Sequence, residues 1–94
     1  MSRPSASDPA SRRCRKRRDV EFRMVGREAI LHDPISAKTH VVNASAAHAW
    51  ELCDGRTLAE LADDFAADYG RPPAELRPDV ERIMDLFTRL GLIE

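Results

Sequence analysis

Apolar and polar positions alternate over residues 19–43, which is the pattern of β-strands that bury one face. Val20, Phe22 and Met24 show it most clearly, because a charged residue separates each from the next. Turn-forming residues interrupt the alternation at 26–27 and at 33–37. Short connections between successive strands favour an antiparallel meander. The predicted strands cover residues 20–24, 28–32 and 38–42.

Residues 44–94 instead repeat their apolar positions every three or four residues, as amphipathic helices do. Asn43 is a favourable N-cap for the first helix, and Thr57 with Glu60 has the spacing of a capping box for the second. Glycine is predicted to end each helix, because it readily adopts the left-handed conformation found there. The apolar stripes comprise Ala46, Ala49, Trp50 and Cys53; Leu58, Leu61, Ala62, Phe65 and Tyr69; and Val80, Ile83, Met84, Phe87 and Leu90.

The third helix has two candidate starting points. A helix that begins at Pro73 would contain Pro78 in its interior, whereas Pro78 suits the first turn of a helix that begins near Arg77. Either start leaves three helices after three strands. The predicted fold class is therefore α+β, a three-stranded antiparallel sheet followed by a three-helix bundle, with a core that includes Trp50, Leu61 and Phe65.

Charge is unevenly distributed, although the net charge is only −1. Residues 1–18 contain seven basic residues and one acidic residue, whereas residues 19–94 contain eight basic and fifteen acidic residues. Because residues 1–18 are rich in Ser, Pro and Arg and lack an apolar period, they are predicted to be a disordered basic tail beside a domain at 19–94. A solvated tail is the favoured interpretation, with contact to nucleic acid or an acidic partner as the alternative.

Few residues have the spacing that catalysis or metal binding requires. The three histidines, His32, His40 and His48, lack metal-ligand spacing, and no phosphate-binding glycine loop or nucleophile elbow is present. Cys14 and Cys53 constitute neither a disulfide framework nor a zinc site, which favours a reducing cytoplasm. No apolar run approaches the roughly 18 residues of a membrane span. The expectation is a binding module without enzymatic activity, metal, cofactor or membrane partner.

A three-stranded meander has two edge strands, and an edge exposes main-chain groups that another extended chain can pair with. If strand 38–42 is a free edge and the third helix lies beside it, the cleft between them offers hydrogen bonds on one wall and apolar pockets on the other. The hypothesis is a site for an extended peptide. An open edge also permits self-association, so a monomer or weak dimer is expected.

The segment from Asn43 to Leu61, NASAAHAWELCDGRTLAEL, resembles the central signature of the PqqD family. The shared pattern is a strand that ends in Asn, a helix with Ala and Trp, an Asp-Gly stop and a Thr-capped helix. The end of the third helix, with Gly91-Leu92-Ile93, and the strands around Asp33-Pro34 are also similar. The resemblance covers about residues 19–94.

This resemblance implies a winged helix-turn-helix fold used as a recognition element for ribosomally synthesised and post-translationally modified peptides (RiPPs). Such an element binds the leader segment of a precursor peptide as an added strand and delivers it to a modifying enzyme. That enzyme is often a radical-SAM protein, in pyrroloquinoline quinone biosynthesis or a related pathway. Some of the implied helix positions must belong to the core, since one stripe cannot face both ways. The implied leader-facing residues are Thr39, His40, Val41 and Val42 on the strand and Val80, Ile83, Met84, Phe87 and Arg89 on the helix.

A winged-helix DNA-binding regulator is the alternative, and a peptide chaperone without a modifying enzyme is a further variant of the first hypothesis. DNA binding requires several basic residues on the recognition helix. From Arg77 onwards, the third helix contains three arginines and three carboxylates, so its charges cancel. The net charge of −7 over residues 19–94 repels DNA. Only the basic tail supports this alternative.

Overall fold

The computed structural model describes residues 11–94, and this part of the chain folds into two small antiparallel sheets and three helices. The α+β class and the three strands predicted from the alternation are confirmed. Two further strands pair with each other in a separate sheet. The elements are β1 (Arg13–Arg15), β2 (Glu21–Val25), β3 (Glu28–Asp33), β4 (Lys38–Val42), α1 (Ala44–Leu52), β5 (Asp54–Thr57), α2 (Leu58–Tyr69) and α3 (Pro73–Arg89).

The larger sheet has the order β2-β3-β4, with both connections formed by short hairpins. Leu31 lies opposite Phe22 on one neighbour and His40 on the other, so these three side chains share the inner face of the sheet. Leu31 and Ala29 are fully buried against the helices. The central position of β3 leaves β2 and β4 as the two edge strands.

Helices α1 and α2 begin directly after the capping residues predicted for them. The Asn43 side chain accepts a hydrogen bond from the Ala46 backbone N–H, and Thr57 and Glu60 form both bonds of a capping box. Gly70 ends α2 in the left-handed conformation, with φ of 65°. Asn43 and the Thr57–Glu60 box satisfy main-chain donors that a helix leaves unpaired at its start, and the Gly70 N–H donates to the Ala66 carbonyl at the end of α2.

Helix α3 begins at Pro73 and therefore contains Pro78 in its interior. Pro73 occupies the first helical position, where its missing N–H costs no hydrogen bond. Pro78 leaves the Ala74 carbonyl without a helical donor, but both residues are exposed, so water can bond that oxygen. Of the two candidate starts, the earlier one is correct.

The core lies between the inner face of the sheet and the three helices. Trp50, Leu61 and Phe65 are buried as predicted, and the Trp50 and Phe87 rings meet edge to face at 5.4 Å between centroids. The core also holds Leu58, Val80, Met84 and Leu92. Helices α2 and α3 thus position the surface that faces β4.

The structure departs from the predicted disorder of residues 1–18. Residues 12–18, here called the N-terminal arm, contain β1, which pairs antiparallel with β5. The arm also reaches the C-terminus, where the Glu94 N–H donates to the Arg15 carbonyl at 2.7 Å and the Arg17 N–H donates to the Leu92 carbonyl at 3.1 Å. The prediction of disorder is wrong for residues 12–18, and residues 1–10 of the predicted tail lie outside the described part of the chain.

A disulfide joins Cys14 of the arm to Cys53, and this corrects the expectation that the two cysteines are unpaired. Their Cα atoms lie 5.3 Å apart although 39 residues separate them in sequence. Both residues are fully buried. Such a long spacing carries no sequence signature, and only the pairing of β1 with β5 brings the two side chains together.

Ion pairs also hold the arm, because its positive charge meets the acidic remainder of the chain. Arg12 donates to Asp85 at 2.5 Å and to the Thr88 hydroxyl at 2.7 Å, and both partners lie on α3. Lys16 donates to the Trp50 carbonyl at 3.0 Å and lies over the Trp50 ring. A composition rule for disorder counts apolar residues and therefore misses a segment ordered by a covalent link and opposite charges.

Candidate functional site: a groove between the edge strand and α3

A groove runs between β4 and α3, with a volume of about 820 Å³. Within residues 11–94, no strand pairs with the outer edge of β4. Its main-chain N–H and C=O groups on that side are therefore available to an additional strand. This arrangement matches the geometry expected of a free edge beside the third helix.

Apolar residues from both walls line the groove. Val41 and Val42 lie on β4, and Ile83 and Leu86 lie on α3. Val42 is only 4% exposed, and Val41, which is 65% exposed, points to the opposite face of the sheet from His40, whereas Ile83 and Leu86 are half-buried against the core. An extended peptide on β4 would pair beside Val41 and remove the remaining apolar surface of Ile83 and Leu86 from water.

The carboxyl end of α2 adds aromatic side chains to the groove. Phe65 and Tyr69 both line it, and their rings meet edge to face at 5.3 Å. His48 of α1 contacts both rings and places Nε2 2.6 Å from an Asp68 carboxylate oxygen. Phe65 is buried, but Tyr69 is 47% exposed and offers a partly open aromatic surface.

Charged groups at the groove are mostly guanidinium groups. Arg71, Arg82 and Arg89 line it together with one carboxylate, Asp79. Arg82 is bonded to Asp79 one helical turn away. In the part of the chain that the structure describes, no acidic side chain lies within ion-pair distance of Arg71 or Arg89. The groove therefore has a positive charge although the domain around it is acidic.

The family model described as "Coenzyme PQQ synthesis protein D (PqqD)" matches residues 28–93, which is more than half of the chain. This chain belongs to the PqqD family. The matched range extends from β3 to the C-terminus and includes both walls of the groove. No curated protein sequence matches the chain significantly.

Two solved structures share the PqqD fold with this chain. One is TbiB1 in complex with the TbiA(beta) leader peptide, with a TM-score of 0.74, 17% identity, and coverage of 85% of this chain and 94% of that one. The other is the solution NMR structure of the PqqD truncation of Methylobacterium extorquens PqqCD, described as a functional and stand-alone RiPP recognition element. It has a TM-score of 0.71 at 20% identity and covers 93% of this chain and 98% of that one. These likenesses confirm the winged helix-turn-helix-like fold.

The structure brings four of the nine candidate site residues to the groove. These are Val41, Val42, Ile83 and Arg89. Thr39 and His40 lie on β4 beyond the groove lining, where Thr39 Oγ1 is 3.0 Å from His32 Nδ1.

The other three candidates, Val80, Met84 and Phe87, are fully buried in the core. Their side chains cannot contact a ligand in this conformation. The helical stripe thus divides as expected, with one part facing the core and a neighbouring part facing the groove.

Sequence reasoning included Arg89 but missed the other charged positions of the groove, Arg71, Asp79 and Arg82. On α3, Asp79, Arg82, Leu86 and Arg89 recur every three or four residues and share one face. That spacing could have predicted a second face of α3, but the prediction was made from the adjacent apolar stripe, which mostly belongs to the core. Arg71 and Tyr69 precede α3, and only the packing of α2 against α3 brings them to the same groove.

The groove provides main-chain groups, apolar surface and guanidinium groups, which are suited to binding an extended chain. Within residues 11–94, no three His, Cys, Asp or Glu residues are grouped as metal ligands. Over the same residues, no helix has both the length and the apolar character needed to cross a membrane.

Proposed function

We propose that this PqqD-family chain is a non-catalytic module that binds the leader segment of a ribosomally synthesised precursor peptide and delivers it to a modifying enzyme. The observation that carries the proposal is the outer edge of β4, with which no strand of residues 11–94 pairs, beside an apolar groove on α3. An added strand would gain main-chain hydrogen bonds from β4 and bury side chains in the groove. TbiB1, which has the same fold, was solved with a leader peptide bound.

In this proposal the leader lies antiparallel or parallel to β4 and inserts alternate side chains towards α3. Ile83 and Arg89 contact it directly and Leu86 extends the same surface, whereas Val41 contacts the neighbouring peptide residue across the strand pair and the buried Val42 contributes its main chain. Thr39 and His40 contribute through the main chain of β4. Every second leader residue determines specificity, because side chains alternate in direction along an extended strand.

The partner that we propose is the modifying enzyme of a RiPP pathway, with a radical-SAM protein as the first candidate. Pyrroloquinoline quinone biosynthesis or a related pathway would use the module in this way. The chain would act as a monomer or weak dimer, because a leader on β4 competes with pairing between two copies along the same edge.

We place this activity in the cytoplasm, where a ribosomally synthesised precursor is made. Disulfides are uncommon in that compartment, but burial of both Cys14 and Cys53 restricts the access that thiol exchange requires. Cell fractionation tests the compartment, and recovery of the protein outside the cytosolic fraction would contradict it.

No observation favours DNA binding over peptide binding. Arg12, Arg13 and Arg17 of the arm donate hydrogen bonds to groups of the chain itself. The basic segment that supported the DNA hypothesis is thus largely occupied within the fold.

The decisive experiment begins with peptides selected from a random displayed library against the full chain. Chemical-shift perturbation by a selected peptide should be largest at the amides of β4 and at the groove face of α3. The β2 edge is the internal control, because no described strand pairs with it either, but β2 contributes no residue to the groove beside α3. Perturbations centred on β2 would contradict the proposed site.

Backbone N-methylation of the selected peptide then tests strand addition directly. Methyl groups at alternate residues, on the peptide edge that faces β4, should abolish binding because they remove the pairing donors. The same substitutions shifted by one residue face outwards and should be tolerated. Equal sensitivity in both registers would exclude strand addition.

A further inference from the structure

The guanidinium groups of the groove stand out because they occur in an acidic domain. Residues 19–94 have a net charge of −7, yet the groove lining contains three arginines and a single carboxylate. A groove that relied on apolar contacts alone would not need a charge opposite to that of its surroundings. The local charge therefore indicates the chemistry of the guest.

The guanidinium groups of two of the three arginines have no acidic partner in the described chain. Arg82 is bonded to Asp79, whereas Arg71 and Arg89 are exposed and lack acidic partners among residues 11–94. A guanidinium group in this state can form two parallel hydrogen bonds with an incoming carboxylate. Lysine and arginine side chains of a guest would instead be repelled.

The positions of Arg71 and Arg89 define the distance expected between the two carboxylates of a bound peptide. Arg71 precedes the first turn of α3, and Arg89 is the last residue of that helix. Helix α3, from Pro73 to Arg89, extends over roughly 24 Å at about 1.5 Å per residue. An extended peptide covers that length with about seven residues, at roughly 3.3 Å per residue.

We propose that the groove is specific for an acidic leader segment, in which an apolar centre is flanked by carboxylates about six to eight residues apart. This inference rests on the proposed function and specifies its substrate class. Arg71 and Arg89 bind the two flanking carboxylates, and Ile83 and Leu86 contact the apolar centre. Arg71 and Arg89 are thereby specificity-determining residues.

The test uses the same random displayed library against three full-length proteins. These are the wild type, the double variant Arg71→Gln/Arg89→Gln, and the control Arg77→Gln. Arg77 is also exposed on α3 but does not line the groove, so its substitution removes one charge elsewhere on the same helix. We expect wild type and control to enrich peptides with Asp or Glu on both sides of an apolar centre, and the double variant to lose that enrichment.

A selected acidic peptide is then compared with its Asn/Gln counterpart in solution. We expect the amide peptide to bind wild type about fivefold to tenfold more weakly, because two exposed ion pairs are lost. The double variant should bind both peptides equally. The preference should also decrease between low and high salt, since exposed ion pairs are screened.

The outcomes separate this inference from the proposed function. Peptides that perturb β4 but show no acidic preference, or a preference that persists in Arg71→Gln/Arg89→Gln, overturn the charge inference and leave leader binding intact. Absence of any peptide that perturbs β4 overturns both. Acidic enrichment lost only in the double variant supports both.

Discussion

Arg17 and Asp33 form a two-point ion pair that joins the N-terminal arm to the end of β3. Arg17 Nη1 lies 2.9 Å from Asp33 Oδ2, and Nη2 lies 3.0 Å from Oδ1. The same carboxylate accepts a hydrogen bond from the Ile35 N–H at 3.0 Å, which holds the β3–β4 loop. Arg17 also donates to the Gly91 carbonyl at 2.9 Å. One arm residue thus connects the hairpin that carries β4 with the chain that follows α3.

This ion pair predicts a pH-dependent stability. The Arg17 hydrogen bonds hold the pKa of Asp33 well below its usual range. A carboxyl group with a lowered folded-state pKa stabilises the fold above its unfolded pKa, about 3.9, and this contribution is lost progressively as the pH falls from that value through the folded-state pKa. We expect Arg17→Gln to lower the free energy of unfolding at pH 7, with a difference that narrows below about pH 4. Urea unfolding at pH 7 and pH 3 measures both values.

The control for this prediction is Arg18→Gln. Arg18 is the adjacent residue of the arm and is exposed. Its substitution should leave the free energy of unfolding close to that of the wild type at both pH values. A stability difference for Arg17→Gln that stays constant from pH 7 to pH 3 would contradict a role for Asp33 ionisation.

The disulfide predicts a second stability effect. A cross-link that closes a loop of 39 residues restricts the unfolded chain by about 4 kcal/mol in the loop-entropy treatment. We expect Cys14→Ala/Cys53→Ala to lose roughly 2–4 kcal/mol of unfolding free energy, and the wild type to lose a similar amount with a reductant present. Titration of two free thiols in the unreduced, unfolded protein would show that the disulfide is absent.

Ile83 and Met84 are adjacent in sequence but face different environments, which predicts opposite phenotypes. Met84 is fully buried, so Met84→Ala should cost about 2–5 kcal/mol of stability and leave the peptide affinity of the folded protein nearly unchanged. Ile83 lines the groove, so Ile83→Ala should cost less stability and weaken peptide binding more. Urea unfolding and fluorescence anisotropy on both variants measure the two effects. Equal loss of affinity in both would place Met84 at the binding surface.

Val41 and Ile35 form a matched pair of exposed aliphatic residues. Val41 lines the groove and is 65% exposed, whereas Ile35 lies in the β3–β4 loop and is 79% exposed. Substitution of either by Ser should change the unfolding free energy by about 0.5 kcal/mol or less, because neither side chain packs in the core. We expect only Val41→Ser to weaken binding of a selected peptide, as measured by anisotropy. Similar affinities for the two variants would exclude Val41 from the contact surface.

Local patterns predicted the elements that depend on neighbouring residues. Alternation identified β2, β3 and β4, and the capping residues Asn43 and Thr57 located the starts of α1 and α2. These features are readable because strand faces and helix caps involve residues within a few positions of one another. The open edge of β4 beside α3 was only a hypothesis from the order of the elements and the family resemblance, because a three-stranded meander has two edges and the sequence does not say which one stays free.

The sequence by itself therefore determined the α+β fold class and the family, but it did not determine which edge strand of the meander is free. The tertiary structure alone decided that the arm is ordered, that Cys14 pairs with Cys53, and that Arg71 and Arg89 meet at one groove. It also divided α3 into core residues such as Met84 and groove residues such as Ile83. These features depend on contacts between residues far apart in the chain, and such contacts leave no periodic signal in a single sequence.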